Sequence, residues 1–191
     1  MNIARSELIL GGQKSGKSRR AESLARAWLA RSSAHRAVLI ATASAHDEEM
    51  RARIARHQHE RAERAPGMAT VEAARDTAQA LARHGAAHTL VVVDCLTLGL
   101  TAWLMPAEGE KNPPQTPEWQ AQADHFFQAL AACPGPVVLV GNEIGLGVIP
   151  LGAQARAFVD ALGLLNQRAA AVCQRVTLMA AGLPLTLKDE A

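Results

Sequence analysis

The chain has 191 residues, the usual size of one domain, and is long enough to bury a full core without disulfides or metals. Hydrophobic residues make up 49% and charged residues 20%, with a net charge of +2, which indicates a soluble globular protein and argues against a nucleic-acid partner, since that would need a clustered basic face. Aromatics are only 3% with no Tyr, and Cys95, Cys133 and Cys173 form no CxxC pair or His/Cys cluster, so neither a disulfide framework nor a zinc site is expected.

Taken in chain order, short apolar runs alternate with helix-like segments. Strands are expected at Glu7–Leu10, Ala37–Thr42, Thr89–Asp94, Pro136–Val140 and Arg175–Ala180, with a weaker one near Ala69–Glu72. Most are continuous apolar runs, the pattern of strands covered on both faces. Helices are expected at Lys17–Ala30, Asp47–Glu63, Asp76–Arg83, Glu118–Ala132 and Gln154–Cys173. This alternation predicts a parallel, doubly wound sheet within a single domain spanning residues 1–191. Residues 105–117, with Pro106, Pro113, Pro114 and Pro117, read as a surface loop. The N-terminus enters a strand without a signal-peptide pattern, and no apolar run is long enough to span a bilayer. The expected location is the cytoplasm.

The strongest motif is Gly11-Gly12-Gln13-Lys14-Ser15-Gly16-Lys17-Ser18, which fits G-x-x-x-x-G-K-[ST] between an expected strand and an expected helix. Its glycines let successive N–H groups point at phosphate oxygens, and the helix start adds its positive dipole end. Lys17 would reach the β/γ-phosphates and Ser18 would hold Mg²⁺. The expected fold is therefore α/β of the P-loop NTPase type, a RecA-like, mostly parallel sheet flanked by helices. Leu90–Asp94 is a second apolar strand ending in a carboxylate. Asp94 is read as a metal-holding acid beside the cradle, against the alternative of a strand-end residue capping a turn. A third strand runs into Gly141-Asn142-Glu143-Ile144-Gly145-Leu146-Gly147, a loop at the sheet edge where ligands bind. Asn142 and Glu143 are candidates to contact substrate, and a plain connector is the other reading.

Between Arg51 and Arg64 the chain is basic, which reads either as a solvated helix face or as an anion-binding surface. At about 100° per residue, Met50, Ile54, His57 and Arg61 share one helix face, while His59 is displaced from His57 by about 200°. His57 is thus expected on the face that packs inward. Alone, such a residue is an ordinary imidazole. With Arg53, Arg56 and Arg61 nearby to hold phosphates and keep the ring neutral, it can attack an α-phosphorus and carry a nucleotidyl group.

These residues together resemble the bifunctional adenosylcobinamide kinase/adenosylcobinamide-phosphate guanylyltransferase family of cobalamin biosynthesis. The resemblance runs over nearly the whole chain: Gly11–Ser18, Ile40-Ala41-Thr42, Asp47-Glu48-Glu49-Met50, Arg53-Ile54 with His57, Val93–Thr97, Asn142–Gly147 with Pro150, Asn166-Gln167 and Ala181–Lys188. It implies that ATP or GTP phosphorylates the aminopropanol hydroxyl of adenosylcobinamide. GMP from GTP then passes through an enzyme histidine to adenosylcobinamide phosphate, giving adenosylcobinamide-GDP. It further implies His57 as the histidine, with His59 as a minor alternative. Nucleotide contacts would come from Ala41, Thr42, Ala43, Gln58, His59, Glu60 and Arg61, with Glu72 recognising guanosine and Asp94 matching the family's strand-end acid. It also implies a homotrimer. The chain departs from the family where an Arg-Pro pair and a Trp usually follow the histidine: here Ala62 follows Arg61, and Pro66-Gly67 replaces the aromatic. Two rival readings remain open at this point. One is a simple P-loop kinase of a small alcohol with a structural His57. The other is an ATP-binding module acting on nucleic acid, against which the near-neutral charge and scarce aromatics count.

Overall fold

The computed structural model describes residues 2–43, 48–104 and 119–191. His46, Asp47, Glu118 and the proline-rich segment 105–117 lie outside the described residues, as do the side chains of Met50 and Arg53.

Seven strands join one sheet: β1 (Ser6–Gly11), β2 (Arg36–Ala41), β3 (Met68–Glu72), β4 (Thr89–Asp94), β5 (Val137–Val140), β6 (Arg175–Ala180) and β7 (Leu183–Asp189), in the order β3-β2-β4-β5-β1-β6-β7. All neighbours are parallel except β6 and β7. That last pair is joined by Ala181 and Gly182, with φ of 50° and 81°, the backbone twist that closes a two-residue antiparallel hairpin. The helices are α1 (Lys17–Leu29), α2 (Glu48–Arg64), α3 (Thr77–His84), α4 (Leu96–Leu104), α5 (Trp119–Ala132) and α6 (Ala153–Val172), with a 3-10 turn at Ile144–Leu146.

Successive side chains on a strand point to opposite faces, and here they feed two separate cores. Leu8, Leu10, Val91, Val93, Val137 and Leu139 pack with α3, α4, α5 and α6, around the fully buried Phe126. Ile9, Leu90, Val92, Val138 and Val140 pack on the other face with Ala21, Leu24 and Ala25 of α1. No described side chain of α2 belongs to either core.

The α/β class and the mostly parallel sheet agree with the sequence reading, and each expected strand and helix is present within a residue or two. Two elements were not expected. Helix α4 buries Leu96, Gly99, Leu100 and Trp103 and is apolar nearly all round, so it carries no amphipathic period. Strand β7 is an edge strand whose Leu183, Leu185 and Leu187 are exposed, so its alternation does not mark a buried face. No described helix is long and apolar enough to cross a membrane.

Candidate nucleotide site

Because β1 to β6 run in parallel, Gly11, Ala41, Glu72, Asp94 and Val140 all end on one edge of the sheet. The cradle forms where β1 passes into α1. A Cβ on Gly11 would meet Met179 O at 2.5 Å and Ser15 Oγ at 2.6 Å, so no side chain fits there. Gly16, with φ of 102°, caps α1 in the left-handed region that glycine adopts without strain. The β6–β7 hairpin supports the loop from the side: Gly182 N donates to Ser15 O at 3.0 Å.

Lys17 is 8% exposed, and its Nζ donates to Gly12 O at 2.6 Å. Burial lowers its pKa from the ordinary value of 10.5, while nearby Cys95 and Asp94 oppose that shift. Ser18 Oγ donates to Asp94 Oδ2 at 2.8 Å, so two hard oxygen atoms meet beside the lysine. Asp94 also acts electrostatically on Arg61, whose pKa is lowered by burial and raised by Asp94 and Glu22. Asp94 thus accepts from one hydroxyl and acts electrostatically on two cations, Lys17 and Arg61. The neighbouring Cys95 thiol is pushed up to about 11, first by burial and then by Asp94, so it stays protonated and is no nucleophile.

The residues at the end of β2 serve a different purpose. Thr42 is 2% exposed; its Oγ1 donates to Cys95 O at 2.7 Å and accepts from Cys95 N at 2.7 Å. Its side chain ties β2 to β4, which leaves Ala41, Ala43 and the backbone to line the edge. Glu72 stands exposed at the end of edge strand β3. Four strand steps of about 4.8 Å separate it from β1, or about 19 Å. The sequence-derived residues therefore fall into two groups, the cradle with Asp94 and a second group on α2 and β3.

Helix α2 joins the rest of the fold mainly through its last turns. Arg61 NH1 donates to Thr70 Oγ1 of β3 at 3.2 Å. Arg64 bonds Glu60 at 3.0 Å and reaches Glu22 of α1 at 3.5 Å. Glu22 is 6% exposed, and its pKa is raised by burial against the opposing pull of Arg64. His57 is on the helix side that carries Arg61, but it is exposed rather than packed inward, because nothing covers that part of the helix among the described residues. Gln58 and His59 are exposed too, and His59 Nε2 lies 3.6 Å from Glu63.

The loop after β5 is fixed to the cradle and to α6. Glu143 N donates to Gly11 O at 3.2 Å. Asn142 donates to Thr97 Oγ1 through both its backbone N and its Nδ2, each at 3.1 Å. Asn166 Nδ2 donates to Asn142 O at 3.0 Å and to Glu143 Oε2 at 3.3 Å. Thr97, Asn166 and Glu22 are site-supporting residues that the sequence reading gave no such role. In the sequence Asn166 enters only as part of the Asn166-Gln167 pair that carries the family resemblance; its supporting role shows as a polar residue on a buried face. Among the described residues, no group of three or more His, Cys, Asp or Glu side chains is placed to hold a metal.

The sequence matches the family described as cobinamide kinase / cobinamide phosphate guanyltransferase over residues 7–187. It is 43% identical over 184 residues to the bifunctional adenosylcobalamin biosynthesis protein CobP of Pseudomonas aeruginosa, covering 96% of this chain and 98% of that one. It is 35% identical over 190 residues to the bifunctional adenosylcobalamin biosynthesis protein CobU of Salmonella typhimurium, covering 95% and 98%. The CobU protein of Escherichia coli is 33% identical over the same length. In fold alone, the chain is similar to the flagellar accessory protein FlaH from Methanocaldococcus jannaschii. That likeness has a TM-score of 0.50 at 10% identity and covers 98% of this chain and 80% of that one. Since the family match runs from the first strand into the last and includes the whole cradle, this chain belongs to the cobinamide kinase / cobinamide phosphate guanyltransferase family.

Proposed function

We propose that this chain catalyses two successive transfers in adenosylcobalamin biosynthesis, both using the cradle at Gly11–Ser18. In the first, ATP or GTP gives its γ-phosphoryl group to the hydroxyl of adenosylcobinamide. In the second, a nitrogen of His57 attacks the α-phosphorus of GTP and pyrophosphate leaves. A phosphate oxygen of adenosylcobinamide phosphate then displaces the histidine from that phosphorus, giving adenosylcobinamide-GDP. The observation that carries this reading is the Ser18–Asp94 bond at the cradle whose buried Lys17 is held by Gly12, within a chain of this family.

Lys17 offsets charge on the β/γ-phosphates, and the loop N–H groups hold the oxygens. The paired oxygens of Ser18 and Asp94 are the hard donors that Mg²⁺ takes when it arrives with a nucleotide rather than in a protein cage. Bound there, Mg²⁺ would offset the charge on the transferring phosphoryl group. Arg61, beside Asp94, adds a second cation on the side of the incoming triphosphate. Gln58, His59, Glu60 and Glu72 form the nucleoside side of the site, and exposure leaves the His57 ring open to GTP. The working unit in this reading is a cytoplasmic homotrimer without a nucleic-acid partner.

The test supplies adenosylcobinamide with γ-labelled ATP and, separately, with α-labelled GTP. The γ-label should enter adenosylcobinamide phosphate, and the α-label should enter adenosylcobinamide-GDP. Entry of the γ-label alone would reduce the protein to a kinase.

A further inference from the structure

We propose that Glu143 is a catalytic residue of the kinase step alone, accepting the proton of the acceptor hydroxyl, and that Asn166 positions it. This rests on the two-transfer reading above. Of the carboxylates near the cradle, two are already engaged. Asp94 accepts from Ser18 and acts electrostatically on Lys17 and Arg61. Glu22 is buried beneath Arg64. Glu143 has no cation partner among the described residues. Its backbone N–H is held 3.2 Å from Gly11 O, at the root of the cradle, because β5 is the strand paired with β1.

Its carboxylate is also aimed. Asn166 is 4% exposed, and its Nδ2 holds Glu143 Oε2 at 3.3 Å, while its own Oδ1 is buried without a hydrogen-bond partner. A buried amide with an orphaned acceptor costs stability, and here its donor is spent on orienting the loop that carries the acid. Glu143 Oε1 accepts no hydrogen bond from any described residue, so one oxygen is held and the other is open. The side chain is partly buried and still open to solvent.

The chemistry of the two steps separates the need for such a group. In the kinase step the nucleophile is an alcohol that must lose a proton. Its oxygen bonds to the γ-phosphorus while the bond from that phosphorus to the β–γ bridging oxygen breaks. The proton passes to Glu143 Oε1 and the nucleoside diphosphate departs. An acid that accepts or orients that hydroxyl is a recurring part of such sites. In the guanylyl steps the nucleophiles are an imidazole nitrogen and a phosphate monoester whose second pKa is about 6, so neither gives up an alcohol proton.

The experiment measures both activities on one preparation of Glu143→Gln. Kinase kcat should fall by about 10²-fold or more with the KM for ATP unchanged, a loss typical of removing a general base. Conversion of supplied adenosylcobinamide phosphate to adenosylcobinamide-GDP should persist, which also shows that the variant is folded. Glu143→Asp, keeping the carboxylate one methylene shorter, should fall between. Asn166→Ala should lower kinase kcat several-fold with guanylyl transfer spared. Kinase activity at the wild-type level in both Glu143 variants overturns the proposal. So does parallel loss of both activities in a variant that melts like the wild type; if Glu143→Gln does not fold, Glu143→Asp carries these readings. Wild-type protein that lacks guanylyl transfer would count against the two-transfer reading instead, leaving the kinase assay to judge Glu143 separately.

Discussion

The phosphate cradle and helix α2 are built in opposite ways, although both are assigned to the same nucleotide chemistry. In the cradle, Gly11 is boxed in by Met179, Lys17 is buried against Gly12, Ser18 is bonded to Asp94 and Ser15 is tied to Gly182. Helix α2 gives no described side chain to either core, and its ties to neighbouring elements centre on Arg61 and Arg64. A buried, cross-bonded cradle is preorganised, so catalysis there spends little on reorganisation. An exposed helix held at one end can present His57 to a large substrate without disturbing the core. Damage to the cradle should therefore abolish both transfers, whereas damage to α2 away from Arg61, which reaches toward Asp94, should weaken guanylyl transfer and leave phosphorylation.

The sharpest break of that comparison is Lys17→Ala. Removing the charge on the β/γ-phosphates should lower both activities by about 10³-fold, within the range seen when transition-state charge stabilisation is lost. Near-normal activity in either assay would mean that the two transfers do not share the cradle. Asp94→Asn keeps the shape but loses the charge, so a fall of about 10² in both rates is expected. The Mg²⁺ concentration for half-maximal rate should rise as well, and an unchanged Mg²⁺ titration would return Asp94 to a structural role. On the α2 side, Arg64→Ala removes the link to Glu22. Because Glu22 is buried, its charge is left without that partner and the effect exceeds that of a surface pair, so a fall of roughly tenfold is expected. That loss should appear in guanylyl transfer only, as measured with supplied adenosylcobinamide phosphate.

The smallest expected effect concerns stability. Burial lowers the Lys17 pKa, so the unfolded chain binds that proton more tightly than the folded one. The contribution of Lys17 to the stability of the nucleotide-free protein should therefore rise with pH between the lowered value and the ordinary 10.5, against the opposite contribution of the Cys95 and Cys173 thiols, which burial raises from 9.0 to about 11 and about 12. Lys17→Met should remove that contribution, so the difference in stability between variant and wild type should shrink as pH rises through the window. At neutral pH the variant should melt no lower than the wild type, and a gain of about 1 kcal/mol would appear as roughly 2–4 °C in Tm. A lower Tm would show that the bond to Gly12 outweighs the cost of burying the charge.

How much of this was readable beforehand follows from how local each feature is. The cradle is eight consecutive residues, so its chemistry is written in one stretch of sequence. While the largely exposed edge strand β3 gave only a weak signal, most of the parallel strands were legible because both of their faces are covered. Helix α4 and strand β7 were not, since one lacks a polar face and the other lacks a buried one. Helical geometry located the side of α2 that bears His57 but could not tell whether anything packs over it. The Glu143–Asn166 contact spans 23 residues and depends on how α6 settles against β1 and the turn after β5, which no local pattern records. Glu143 itself was legible as a candidate, but its orientation was not.

The central claim, two transfers with a covalent histidine in the second, is tested most directly by protein-bound label. Wild type, His57→Asn and His59→Asn are incubated with α-labelled GTP and Mg²⁺, then denatured and separated from free nucleotide. Wild type and His59→Asn should retain label that is lost in acid and kept in base, as a phosphoramidate requires. His57→Asn should retain none while still phosphorylating adenosylcobinamide. Label that persists in His57→Asn but vanishes in His59→Asn would move the histidine to the opposite helix face, and a wild-type protein that never acquires label would contradict the guanylyl-transfer mechanism.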